Sequence, residues 1–233
     1  MANPVCVVTG VGPGNGCAFA RRFAREGYQV AMLARSADAL KDYESQIQGS
    51  RGYACDVGDA DSVGEAFAAL RAELGPAEVL IHNAGSGVFN SFLDTDPEQL
   101  EQAWRVNTLG LFLCGREAAR DMLEAGRGAI VVSGATASVR GGAGTAAFAS
   151  GKAAQRSLAQ SMARQLGPKG IHVALVVIDG VIDIPRTRSF LKDKPDDFFL
   201  KADAIADSVY HLARQDRSAW TFEMDIRPFG EKW

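Results

Sequence analysis

Short apolar runs alternate with longer helical stretches along almost the whole of this 233-residue chain. Val5 to Thr9, Gln29 to Ala34, Tyr53 to Cys55, Val79 to His82, Ala129 to Ser133, His172 to Val177 and Thr221 to Asp225 read as strands. Helical patterns separate them: Gly16 to Glu26, a stretch opening at Ser36 as N-cap, Asp61 to Glu73, Glu98 to Glu124 with an interruption near its start, Ala146 to Leu166, and Ala202 to Arg214. Strands apolar on both faces need cover on both, and parallel neighbours need crossovers of about a dozen residues, which these helices supply. The pattern predicts an α/β fold with a seven-stranded, mostly parallel sheet and helices on both faces, in one domain spanning 1–233. The most irregular stretch, 183–200, carries Pro185 and Pro195 and follows a strand end. It is either a substrate lid or an ordered surface loop with a short helix.

Charge and cysteine usage narrow the function. Lys plus Arg is 25 and Asp plus Glu 28, a formal net charge of -3 with no basic tract, which argues against nucleic acid or an anionic membrane as partner. Cys6, Cys17, Cys55 and Cys114 stand far apart without metal-ligand spacing, so reduced buried thiols and no metal are expected. The chain enters its first strand without a basic region and long apolar segment before it, and no apolar run approaches a membrane span. A cytoplasmic protein acting on a small molecule is expected.

The segment Thr9-Gly10-Val11-Gly12-Pro13-Gly14-Asn15-Gly16 joins the first strand to the first helix. Glycines there let backbone approach a pyrophosphate, and the helix start offers unpaired amides, so the loop predicts a Rossmann-like, doubly wound dinucleotide site. Gly-Lys-Ser/Thr is absent, which disfavours a nucleotide-hydrolysing loop. At the end of the second strand, where a carboxylate would hold the ribose of NAD, stand Ala34-Arg35-Ser36. Arg35 suits a 2′-phosphate, with Ser36 as minor partner, which favours NADP and leaves NAD possible; the other reading stacks Arg35 on adenine.

These residues resemble the short-chain dehydrogenase/reductase family over nearly the whole chain. Gly10, Gly14 and Gly16 match its glycine loop, with Gly12 beside them and Asn15 at a commonly aliphatic place. Asp56-Val57 resembles the pair at the adenine ring, and His82-Asn83-Ala84-Gly85 its Asn-Asn-Ala-Gly element, with His82 for the first asparagine. Asn107 matches the helix asparagine whose backbone retains water near the lysine. Lys152 falls on that lysine, implied to bind the nicotinamide ribose and to lower the pKa of a nearby tyrosine. Gly180 and Ile182 match the turn near the nicotinamide carboxamide, with Asp179 in place of proline.

Two positions depart from the pattern. Phe148 stands on the catalytic tyrosine, four residues before Lys152 and on its helix face, and has no proton to exchange. Ala135, thirteen residues earlier, stands on the carbonyl-polarising serine, although Ser133, Thr136 or Ser138 could take its place in a shifted loop. His82 and His172 sit at strands and read as structural. Three functions remain open. One is an NADP-dependent oxidoreductase with non-standard proton delivery, through Lys152 and water past the Asn107 backbone, or with an activated C=C substrate protonated at carbon. The second is a catalytically inactive NADP-binding sensor, scaffold or partner subunit, and the third a purely structural module. The resemblance further implies a homodimer or homotetramer built on the helices around 98–124 and 146–166.

Overall fold

In the computed structural model, residues 3–231 are described; Met1, Ala2, Lys232 and Trp233, the ends of the expected 1–233 domain, lie outside the described residues. The sheet is formed by β1 (Val5–Thr9), β2 (Gln29–Ala34), β3 (Ser50–Ala54), β4 (Ala77–His82), β5 (Gly128–Ser133), β6 (Ile171–Ile178) and β9 (Glu223–Ile226). Their order is β3-β2-β1-β4-β5-β6-β9, and every neighbouring pair is parallel. A further pair, β7 (Val181–Ile182) and β8 (Phe199–Leu200), was not foreseen: two residues are too few to show a periodicity. The edge strand β3 begins three residues earlier than its apolar signal, because backbone pairing with β2 carries the polar Ser50 and Arg51. At the other edge β9 starts at Glu223, not Thr221.

Side chains alternate across each strand, so Val5 and Val7 join one core with Phe67, Leu70 and Leu111, whereas Cys6 and Val8 join the other with Phe19, Phe23 and Val209. Each such fully buried Leu or Phe contributes roughly 2–3 kcal/mol. The first core is covered by α3 (Ala60–Glu73), α5 (Gly110–Ala125) and α6 (Ala146–Leu166), and the second by α1 (Asn15–Arg25) and α8 (Ala202–Ala213). Ser36 caps α2 (Ala37–Gln46) by accepting from the Ala39 amide at 3.3 Å, as its sequence position implied. The four cysteines are buried and unpaired. No helix among the described residues is long and apolar enough to cross a membrane.

The expected interruption in 98–124 is a π-helical turn, Arg105–Leu109, between α4 (Pro97–Trp104) and α5. Its extra residue per turn rotates Asn107 towards α6, where the neighbouring Thr108 hydroxyl donates to the Gly151 carbonyl at 2.9 Å. Strand order reverses between β1 and β4, so a crevice opens at their carboxyl ends, where a doubly wound sheet binds ligands.

Candidate active site

The crevice starts where β1 stops. The Thr9 hydroxyl accepts from the Asn83 and Ala84 amides at 3.2 Å each, and the Asn83 side chain donates to the Gly10 carbonyl at 3.0 Å, so the ends of β1 and β4 are tied together. Gly10 has φ 68°, and a Cβ on it would lie 2.5 Å from Ala84 Cα; no other residue fits. Gly14, at φ 139°, would set a Cβ 2.7 Å from the Ile184 side chain. The first turn of α1 has no capping side chain and no acidic residue, which leaves the Asn15 and Gly16 amides for an anion. Asn15 is buried beside that turn, its Oδ1 without a hydrogen-bond partner.

Two cavities meet at this loop. The smaller, about 580 Å³, is lined by Arg35, Ser36, Asp56 and Val57, and the larger, about 890 Å³, by Asn83, Phe148, Lys152 and Ile182. Gly10, Gly85, Gly87 and Arg186 line both, so they form one cleft of the two-lobed shape a dinucleotide needs. Ala84 lines the smaller lobe, and Gly12, Gly14, Asn15, Gly16, Ala135 and Gly180 the larger. Asn107 lies behind the wall. Arg35 is exposed and makes no ion pair among the described residues, whereas the Asp56 carboxylate accepts from the Gly58 amide at 2.9 Å.

At the closed end Lys152 is only 5% exposed. Its ammonium donates to the Ser133 carbonyl at 2.7 Å and to Gln155 Oε1 at 3.0 Å, and burial lowers its pKa to about 8. The Gln155 amide in turn donates to the Asn107 carbonyl at 2.8 Å. Lysine and carbonyl are therefore joined by a side-chain carboxamide. Gln155 was missed because it stands among the alanines of α6 as one more polar helix residue; its complete burial is what marks it. The Asn107 amide donates to Ala103 and Ser86 carbonyls at 2.8 and 3.0 Å, which fixes the π-turn against the Gly85–Ser86 loop.

Phe148 lines the cavity and packs on Phe89 with ring centroids 5.2 Å apart. Ala135 stands in the wall, and of the three alternative hydroxyl residues only Ser133 and Thr136 line the cavity. Ser138 turns back to accept from the Ala135 amide at 3.0 Å, and the Thr136 hydroxyl donates to the Asp179 carboxylate. Asp179, 9% exposed, also pairs with Arg227 at 3.4 Å, so it ties the end of β6 to the segment after β9. Within 183–200, α7 (Pro185–Phe190) is pinned by Asp183, which pairs with Arg188 and Lys201 at 2.6 Å each. The Arg188 hydrogen bonds, then that of Lys201, hold the Asp183 carboxyl well below the usual carboxylate range.

The His82 ring meets the Thr9 hydroxyl at 3.2 Å, and its Nε2 is buried without a partner. Burial, aided by the Lys152 charge, lowers its pKa to about 3. Unfolded histidine titrates near 6.5, so as pH falls from about 6.5 to about 3 the unfolded state takes up a proton that the native state refuses. Stability is fully present above that window and declines through it, by as much as about 5 kcal/mol. Urea unfolding at pH 7 and pH 4 is expected to show a markedly smaller acid loss for His82→Gln. Equal losses in both proteins would reject the assignment. His172 stacks on Trp220 at 4.9 Å and meets the Thr221 carbonyl at 2.8 Å, away from the cleft.

Residues 4–194 match the short chain dehydrogenase family. The chain is 34% identical over 183 residues to the 3-oxoacyl-[acyl-carrier-protein] reductase MabA of Mycobacterium bovis, covering 78% of this chain and 71% of that protein. It is 32% identical over 236 aligned positions to the 2-(R)-hydroxypropyl-CoM dehydrogenase of Xanthobacter autotrophicus, covering 91% and 92%. A crystallographic short-chain dehydrogenase from Rhodopseudomonas palustris is similar with TM-score 0.84 and 38% identity, over 98% of this chain and 100% of that one.

Proposed function

The chain belongs to the short-chain dehydrogenase family, and from that premise we propose an NADP-linked oxidoreductase in which Lys152, in place of a tyrosine, handles the proton. The observation that carries this reading is a buried lysine with pKa about 8 on the wall of the larger cavity, beside a phenylalanine that cannot titrate. Gly10, Gly12, Gly14, Asn15 and Gly16 would hold the dinucleotide phosphates and nicotinamide side, with Asn83, Ala84, Gly85, Lys152, Gly180 and Ile182. Arg35, Ser36, Asp56 and Val57 would hold the adenosine end. The cofactor, when bound, supplies or accepts hydride.

The protein's own chemistry is then proton transfer and placement. An ammonium has three N–H groups; two point to Ser133 and Gln155, and the third is left for the substrate. In reduction of a carbonyl, carbon gains the hydride, oxygen takes the Lys152 proton, and the neutral amine is reprotonated by water entering the cavity. An activated C=C substrate needs no acid at this position, since its carbon can be protonated by water. The segment 183–200 acts as the lid over this end, and the whole chain as one domain. NADPH oxidation across carbonyl and enone panels tests the proposal; hydride transfer to neither class, with NADPH bound, rejects it. The second reading, an NADP-binding protein without turnover, is favoured by one feature: a carboxamide on the Asn107 carbonyl passes no proton.

Arg35 supports NADP over NAD. Removing one charge-assisted contact costs about 1.5–3 kcal/mol, so Arg35→Ala is expected to weaken NADPH binding about 10- to 100-fold while leaving NADH within about twofold. Fluorescence titration of both nucleotides checks this; tighter wild-type binding of NADH sinks it. Assembly through α4 and α5 is also proposed, because Leu100, Trp104 and Phe112 are exposed there. A homodimer or homotetramer by light scattering is expected, and a monomer at micromolar concentration contradicts it.

A further inference from the structure

We propose that the substrate is an anionic, largely apolar molecule whose acidic group is bound by Arg140 and whose body packs on the Phe148 and Phe89 rings. The proposal rests on the oxidoreductase reading of the same cavity and names its substrate class. The wall of the larger cavity contains Arg140, Lys152 and Arg186 and not one aspartate or glutamate. That is the reverse of the chain as a whole, in which acidic residues outnumber Lys and Arg by 28 to 25. The carboxylates nearest the wall are already matched by other groups: Asp179 by Thr136 and Arg227, and Asp183 by Arg188 and Lys201.

The three cations divide by position. Lys152 is held at the closed end by Ser133 and Gln155. Arg186 lines both cavities and so stands at their junction, where a dinucleotide's phosphates would pass. Arg140 lines the larger cavity alone, and its guanidinium makes no hydrogen bond or ion pair among the described residues. It follows the short 3-10 turn Thr136–Ser138 and precedes Gly141 and Gly142, which also line the wall and leave room beside it. A guanidinium without a counter-charge, at the edge of a cavity that contains no carboxylate, meets a carboxylate through two parallel N–H groups. The apolar part of the ligand has its own surface: Phe89 is 63% exposed although its ring packs on Phe148. Such a ring is left for a ligand to cover.

The full-length protein is saturated with NADPH and titrated calorimetrically with 4-phenylbutanoate and with its neutral isostere 4-phenylbutanamide. The carboxylate is expected to bind about tenfold or more tighter than the amide, the size of a charge-assisted contact. Arg140→Ala is expected to remove that difference and Arg140→Lys to retain part of it, both without change in NADPH affinity, whereas Arg186→Ala weakens NADPH. Equal affinities for the two probes, binding of neither to the NADPH-loaded protein, or loss of both probes in Arg140→Ala overturns the proposal. Failure of NADPH to bind is a separate result against the oxidoreductase reading, and the same titrations on nucleotide-free protein still decide Arg140.

Discussion

Replacing Lys152 with methionine is expected to lower NADPH-linked carbonyl reduction by about 10²- to 10⁴-fold, the range a positioned general acid contributes. Methionine keeps the length and apolar stem and removes the ammonium, which would also touch the cofactor, so the loss is read at saturating NADPH, where it reports the proton. The wild-type rate should fall as pH rises through about 8, because only the ammonium can donate. Oxidation of the alcohol should rise over the same range. A second readout is independent of catalysis. Between about 8 and the ordinary 10.5, the unfolded lysine keeps a proton that the native one has lost, so wild-type stability increases with pH across that window. Denaturant unfolding of Lys152→Met should lack the increase. A variant that retains turnover, or a wild-type profile flat through pH 8, removes Lys152 from the chemistry.

The fold was legible in the sequence because strand and helix periods differ and the glycine loop follows the first strand at once. The family resemblance implies a shared site for Gly10, Asn83, Lys152 and Ile182, and all four line the larger cavity. What stayed hidden were contacts between residues distant in sequence. Gln155 reads as an ordinary helix residue until its amide is found on the Asn107 carbonyl, 48 positions away. Asp179 reads either as a turn aspartate or as a buried carboxylate near the site; it is buried, and its partners Thr136 and Arg227 are set by where β6 and β9 end side by side. Arg140 gave no signal either, since an arginine before two glycines looks like any surface loop. Only the absence of acidic residues from the cavity wall distinguishes it. Local pattern thus reveals elements and their order, whereas burial decides which polar residues matter.

The double variant Phe148→Tyr, Ala135→Ser is expected to raise carbonyl reduction about 10²-fold, at the low end of general-acid effects. Both residues line the same cavity, and Phe148 lies one helical turn before Lys152. Ala135 has extended backbone, φ -154° and ψ 167°, which serine adopts without strain. The new phenol would stand near a cation that favours its ionised form, and the new hydroxyl would orient the carbonyl. The gain is limited because the new phenolate must be reprotonated by water entering the cavity, as the carboxamide link between Lys152 and Asn107 conducts no proton from behind the wall. Adding Gln155→Ala should therefore increase the rate again wherever reprotonation limits it, with a larger solvent isotope effect in the double variant than in the triple. Enone reduction distinguishes the two substrate classes. If the wild type reduces enones and the double variant leaves that rate unchanged while gaining on ketones, the native proton goes to carbon, and Phe148 marks a site that never needed an acid. If the double variant gains on neither class although NADPH binds, the hydride end is not assembled for transfer, and the nucleotide-binding reading takes precedence.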